Sequence, residues 1–135
     1  MSIIIWDDTY SVKVNLIDGQ HKRLFNLTND YHKAFVEGRT QNALRQLIEG
    51  LANYASVHFA TEERYFTKFG YPEAEIHKRE HKIFNAKIAE LTRKRKTGES
   101  VEHDEVIKFL KIWLEGHIKG TDHKYIEFFS KNGLR

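Results

Sequence analysis

The chain contains no cysteine, and that absence removes disulfides, thiolate nucleophiles, iron–sulfur ligation and cysteine-based zinc sites together. Any metal here must be held by nitrogen and oxygen. Proline is almost missing as well: Pro72 is the single one in 135 residues, so long helices can run without a break. No apolar run approaches the roughly 20 residues needed to span a bilayer, and no membrane insertion is expected. The opening Met1-Ser2-Ile3-Ile4-Ile5-Trp6-Asp7-Asp8 lacks the basic region and longer apolar stretch of a signal peptide, which makes a cytoplasmic location the expectation. Excess charge is small, a formal net of +3. The one dense basic run, Arg93-Lys94-Arg95-Lys96, precedes Gly98, where cations complement the C-terminal end of a helix dipole. Without aromatic or motif context it makes no nucleic-acid surface, and no nucleic-acid partner is expected.

What is present, 40% hydrophobic and 30% charged residues, describes one globular domain with one core. Residues 1–17 alternate weakly through Ile3, Ile5, Trp6, Tyr10, Val12, Val14 and Leu16 and read as an extended arm lying on that core. Four helical segments follow. The first is expected over about 18–37, with Asp18 as its N-cap and Gly38 as its stop. Its inward stripe is His21, Leu24, Phe25, Thr28, Tyr31 and Phe35. The second, about 40–69, ends at Gly70 and turns Leu44, Leu47, Leu51, Tyr54, Ala55, His58, Glu62, Tyr65 and Phe66 inward. Tyr71-Pro72 marks a turn. The third, about 73–96, steps through His77, His81, Phe84, Ile88 and Leu91 at intervals of four, three, four and three, the cleanest helical period in the chain. The fourth, about 101–129, places Val106, Leu110, Trp113, Leu114 and His117 on one face. Four long helices joined by short loops pack most simply as an all-α, up-down-up-down four-helix bundle.

Residues four apart on a helix share a face. His58 and Glu62 are so spaced, as are His77 and His81; Asp122 follows His117 by five, and His21 sits on the first stripe. A single inward histidine is ordinarily a hydrogen-bonded core residue. Burying several imidazoles without a common partner costs free energy, and here inward polar residues occur on all four segments. Five imidazoles and two carboxylates are too many for one metal and suit two. His32 lies about 16 Å along the axis from His21, His103 falls in a polar first turn and His123 points away from its neighbour Asp122, so these three are expected at the surface or in a second layer.

The segments Ile17-Asp18-Gly19-Gln20-His21-Lys22-Arg23-Leu24-Phe25, His58-Phe59-Ala60-Thr61-Glu62-Glu63, His77-Lys78-Arg79-Glu80-His81 and His117-Ile118-Lys119-Gly120-Thr121-Asp122 together resemble the hemerythrin family in its bacterial single-domain form. The arm with Trp6 is similar too, so the resemblance covers nearly the whole chain as a single domain. It implies a non-haem centre of two Fe ions, bridged by carboxylate and by an oxo or hydroxo group, with O2 as ligand. On that resemblance His77, His81 and His117 would bind one iron, His21 and His58 the other, and Glu62 and Asp122 would bridge both. Two octahedral irons offer twelve positions; five histidines, two bridging carboxylates and one solvent-derived bridge take eleven. The remaining position, on the iron with two histidines, suits end-on binding of a diatomic. By the same resemblance Leu24, Phe59, Trp113, Leu114 and Ile118 would line a dry pocket around it. A histidine-rich site carries fewer anionic ligands than the four-glutamate di-iron sites and should better tolerate reversible O2 chemistry than O–O cleavage.

The expected function is therefore O2 carriage, storage or sensing rather than catalysis, with an O2-accepting or signalling protein as the partner a sensor would need. A di-iron enzyme of peroxidase, oxidase or nitric-oxide-scavenging type is the alternative; it is disfavoured because no obvious general acid lies beside the pocket, Tyr54 and Tyr65 being the candidates for one. Iron storage is disfavoured by the lack of an acidic entry channel. One spacing is irregular. On an α-helix Thr121, not Asp122, would share the face of His117, Asp122 lying about 140° away. The sequence therefore predicts a one-residue π-type widening between His117 and Asp122, helped by Gly120, which would return Tyr125 and Phe129 to the inner face.

Overall fold

Residues 3–135 are described here from a computed structural model. Among them there is no strand: the chain is an up-down-up-down bundle of four helical rods. Three rods are regular helices, α1 (Asn15–Val36), α2 (Thr40–Phe69) and α3 (Ala74–Thr97). The fourth is composite: α4 (His103–Ile112), a π-helical stretch Trp113–Thr121, a 3-10 turn Asp122–Tyr125, and α5 (Ile126–Lys131). Gly70 and Gly98 close α2 and α3 in the left-handed conformation, at φ 71° and 76°, which a residue with a Cβ adopts only with strain.

The first helix begins three residues earlier than its sequence suggests, because Asp18 does not cap it. The Asp18 carboxylate instead accepts from the Val12 N–H and the Ser11 hydroxyl, tying the arm to the first turn, and Val14 precedes the helix with no side-chain cap. The arm carries a 3-10 turn at Asp8–Tyr10 and turns again at Lys13, which is left-handed at φ 63°. Asn29 anchors its start, accepting from the Ile3 and Ile4 N–H groups and donating to the Ile4 carbonyl, while Trp6 and Tyr10 pack their rings against Phe25.

Most residues expected on the inner stripes are buried. Phe35 is not: it is 39% exposed and lies flat on His103, ring centroids 3.6 Å apart. Leu44 and Tyr65 are half-buried at the edges of the core, Ala43 and Ile48 filling the inner face of α2 beside Leu44. The apolar interior forms two clusters. The larger includes Leu24, Leu51, Tyr54, Phe59, Phe84, Leu110, Leu114 and Ile118; the smaller comprises Val12, Val14, Ile17, Phe66, Tyr71, Tyr125 and Phe129. On every rod the buried histidines and carboxylates fall between members of the two clusters: His21 between Ile17 and Leu24, His58 and Glu62 between Tyr54 and Phe66, His77 and His81 between Tyr71 and Phe84, His117 and Asp122 between Leu114 and Tyr125. A polar layer thus lies sealed between two apolar ones.

Candidate metal centre

The seven residues of that layer are each 2% exposed or less. They form two groups whose candidate donor atoms lie within 4.8 Å of one another: Glu62, His77, His81 and His117, and His21, His58, Glu62 and Asp122. Glu62 belongs to both. Its Oε1 is 3.0 Å from His81 Nε2, 3.2 Å from His58 Nε2 and 3.5 Å from His77 Nε2. Asp122 also faces both groups: Oδ1 is 2.9 Å from His77 Nε2 and 3.0 Å from His117 Nε2, and Oδ2 is 3.0 Å from His21 Nε2. The Nε2 atoms of His21 and His58 are 3.0 Å apart.

Asp122 reaches this layer because the backbone widens. Its N–H bonds to the His117 carbonyl, an i→i−5 step, so the residue after Thr121 is carried round to the face of His117. The predicted widening is present but longer than one residue, starting at Trp113. Tyr125 and Phe129 follow Asp122 inward and are fully buried.

The donor set fits metal ions. Ligands in adjacent positions on a metal with bonds of about 2.1 Å sit about 3 Å apart, the separation seen across this layer. Several of these atoms are also orphaned as hydrogen-bonding groups: His77 Nε2, His117 Nε2 and both oxygens of Asp122 have no aligned partner, although Oδ1 lies 2.9 Å and 3.0 Å from the two nitrogens and Oδ2 lies 3.0 Å from His21 Nε2. Buried polar groups that close without hydrogen bonds are costly, and a cation between them relieves the cost. Electrostatics agree. Burial acts to lower both His77 and His117, yet close contact with the carboxylates of Asp122 and Glu62 and their charge, with Glu80 added at His117, outweigh it and raise His77 to about 9 and His117 to about 10. Burial also acts to raise both carboxyls, yet the histidines around them win and hold Glu62 and Asp122 far below the usual carboxylate range. His21 is lowered by burial and by His58. Without a metal, protons on His77 and His117 balance the two carboxylates; metal ions would displace them.

Outer partners orient the imidazoles, and these were not foreseen from the sequence. His58 Nδ1 is 2.7 Å from Gln20 Oε1, His81 Nδ1 is 2.9 Å from Glu63 Oε2, and His117 Nδ1 is 2.9 Å from Glu80 Oε1. Each leaves the Nε2 lone pair turned toward the layer. The Tyr125 hydroxyl donates to Glu62 Oε2. Gln20, Glu63 and Glu80 each adjoin one of the seven in sequence, a usable signal, but the ring each supports lies on another helix.

The residues expected to wall a pocket are all buried. Phe59 stacks on His81 with centroids 3.8 Å apart and Trp113 on His117 at 3.9 Å, so both lie against the three-histidine group. The ring beside His58 is Tyr54, at 5.1 Å. Tyr65 belongs to the other end, packed on Phe69 and Phe129. His32, His103 and His123 are half-buried and outside both groups of donors; His32 Nδ1 and His103 Nε2 pair at 3.2 Å.

Residues 12–129 match the model of a family described as the hemerythrin HHE cation binding domain. The chain is 32% identical over 127 residues to a bacteriohemerythrin of Stenotrophomonas maltophilia, covering 94% of this chain and 82% of that protein. It is 30% identical over 126 residues to a bacteriohemerythrin of Methylococcus capsulatus, covering 93% and 95%. The crystal structure of a wild-type hemerythrin superposes with a TM-score of 0.80 at 28% identity, over 93% of this chain and 97% of that one.

Proposed function

This chain belongs to the hemerythrin HHE cation-binding family, and from that premise we propose that it binds O2 reversibly at a non-haem di-iron centre. His77, His81 and His117 would hold one iron, His21 and His58 the other, with Glu62 and Asp122 between them. Once held there, the metal would supply the group that binds a diatomic; the chain's own part is to hold, orient and keep dry. One observation carries the reading: seven nitrogen and oxygen side chains from all four rods converge in a layer sealed on both sides by apolar residues. Leu24, Leu114 and Ile118, none with exposed surface, exclude water from the layer, and Phe59 and Trp113 clamp two of the imidazoles by stacking. The protein then acts as an O2 carrier or store, or as a sensor that signals through a separate protein. No described helix is long and apolar enough to cross a membrane.

The test is anaerobic loading with ferrous iron, exposure to O2, then removal of O2, followed by optical absorption. Two irons per chain and a charge-transfer band that appears and vanishes reversibly are expected. Irreversible oxidation with turnover of an added reductant would overturn it in favour of an oxidase, peroxidase or nitric-oxide scavenger. One observation favours that second reading: the Tyr54 hydroxyl is buried without a partner beside His58. Burial and the nearby Asp122 and Glu62 push Tyr54 well above 10, so it stays protonated and could give its proton only to a strongly basic oxygen. If it is a general acid, Tyr54→Phe lowers turnover by about a hundredfold or more; if the protein only binds O2, the variant leaves reversible binding in place.

A further inference from the structure

The supports behind the imidazoles differ in charge between the two groups. On the three-histidine side two of the three rings donate Nδ1–H to carboxylates, His81 to Glu63 and His117 to Glu80. On the two-histidine side His58 donates to a neutral amide, Gln20, and His21 Nδ1 is buried with no partner. The amide is held in that role. Gln20 Nε2 donates to Thr61 Oγ1, whose own proton goes to the Val57 carbonyl, so Thr61 turns a lone pair toward residue 20 and suits an amide better than a carboxylate. Glu80 is held equally firmly, with Thr121 Oγ1 2.9 Å from both its oxygens. Thr121 is free to do this because the widened backbone has given the inward position to Asp122.

We propose that the two halves of this cluster bind metal unequally, with Glu63 and Glu80 as positioning residues that make the three-histidine half the tighter one and the first to fill. The proposal rests on the dinuclear reading above. A carboxylate accepting the Nδ1 proton raises the electron density on Nε2 and adds a negative charge near a divalent ion, whereas an amide adds only a dipole. Both carboxylates are about one-third exposed, so water screens part of their charge. Loss of such a support typically costs about 10–100-fold in metal affinity. The two-histidine half, which would carry the open position, also loses its metal first.

Anaerobic titration of the metal-free protein with Co2+, followed by calorimetry and by the visible absorption of the bound ion, tests this. Two steps at least tenfold apart are expected. His58→Ala should abolish the weaker step and leave the tighter one. Glu80→Gln and Glu63→Gln should each weaken the tighter step about tenfold or more and spare the weaker, with Glu80→Asp partly restoring it, while Gln20→Glu should tighten the weaker step. Helical circular dichroism and the thermal midpoint of each metal-free variant report whether the bundle is intact, which a merely structural role for Glu80 would not leave unchanged. Loss of the tighter step in His58→Ala, or equal weakening of both steps in Glu80→Gln, would overturn the proposal while leaving a dinuclear centre standing. Uptake of one ion or none by the unaltered protein would overturn both.

Discussion

Leu114 stands one turn before His117 and has no exposed surface, so truncating it has two separable consequences. Leu114→Ala should cost about 2–5 kcal/mol of stability through lost burial and the cavity left behind, measured by chemical denaturation of the metal-free protein. It should also speed autoxidation of the oxygenated protein, because water gains access to a layer that is otherwise dry. Unchanged autoxidation kinetics would remove Leu114 from the pocket wall. The same scale explains why Phe59 and Trp113 do more than fill space. Flat against His81 and His117, they limit the rotation of rings whose Nδ1 atoms are pinned from the other side, and an imidazole fixed at two points directs its Nε2 without further help.

Among the elements, the composite fourth rod decides the most. A regular α-helix would place Asp122 about 140° from His117; the i→i−5 bond from Asp122 to His117 removes that offset and brings Tyr125 and Phe129 with it. Deleting Gly120 restores an interval of four between His117 and the aspartate and lets an α-helix form. The aspartate would then face inward without any widening, and the test is whether the rest of the rod tolerates the change. Tyr125 and Phe129 keep their spacing from the aspartate and turn inward with it, so the deletion imposes only a small axial shift on the Tyr125–Glu62 bond and on the packing of Phe129 against Phe66. The expected outcome is a lowered thermal midpoint with metal uptake retained, because the aspartate still faces the layer. Loss of metal uptake in a folded deletion variant would show that the widening itself, and not only the inward facing of the aspartate, is required.

For the whole molecule, the layer couples metal, protons and folding. In the metal-free protein His77 and His117 titrate near 9 and 10 rather than near the ordinary histidine value of 6.5. Their pairing with Asp122 and Glu62 therefore stabilises the fold fully below about pH 6.5, and this contribution is lost as pH rises through 9 and 10. Glu62 and Asp122, held low, contribute in the opposite sense: their share is present above the ordinary carboxylate range and is lost as pH falls well below it. The thermal midpoint of the metal-free protein should fall between pH 7 and 10. With metal bound the same groups are already deprotonated, so that alkaline loss should vanish, and metal uptake at pH 7 should release protons to the buffer. Calorimetry in buffers of different ionisation enthalpy measures that release.

Much of this arrangement was legible in the chain because it depends on local periodicity. The interval of four within His58–Glu62 and His77–His81, the glycines that end α2 and α3, and the lack of proline elsewhere follow from how an α-helix repeats. Even the irregular interval from His117 to Asp122 announced a departure from that repeat. What local rules could not reach are relations between helices. Asp18 looks like a helix cap in sequence, yet it binds back to the arm, because the donors it accepts from, the Val12 N–H and the Ser11 hydroxyl, reach it only once the arm is folded down. Gln20, Glu63 and Glu80 adjoin their own helix's polar residues but support rings on other helices. Periodicity determined which residues face inward; only the packing of four rods decided which of them meet, since a side chain's partner across a bundle depends on axial offset and rotation that no single helix encodes.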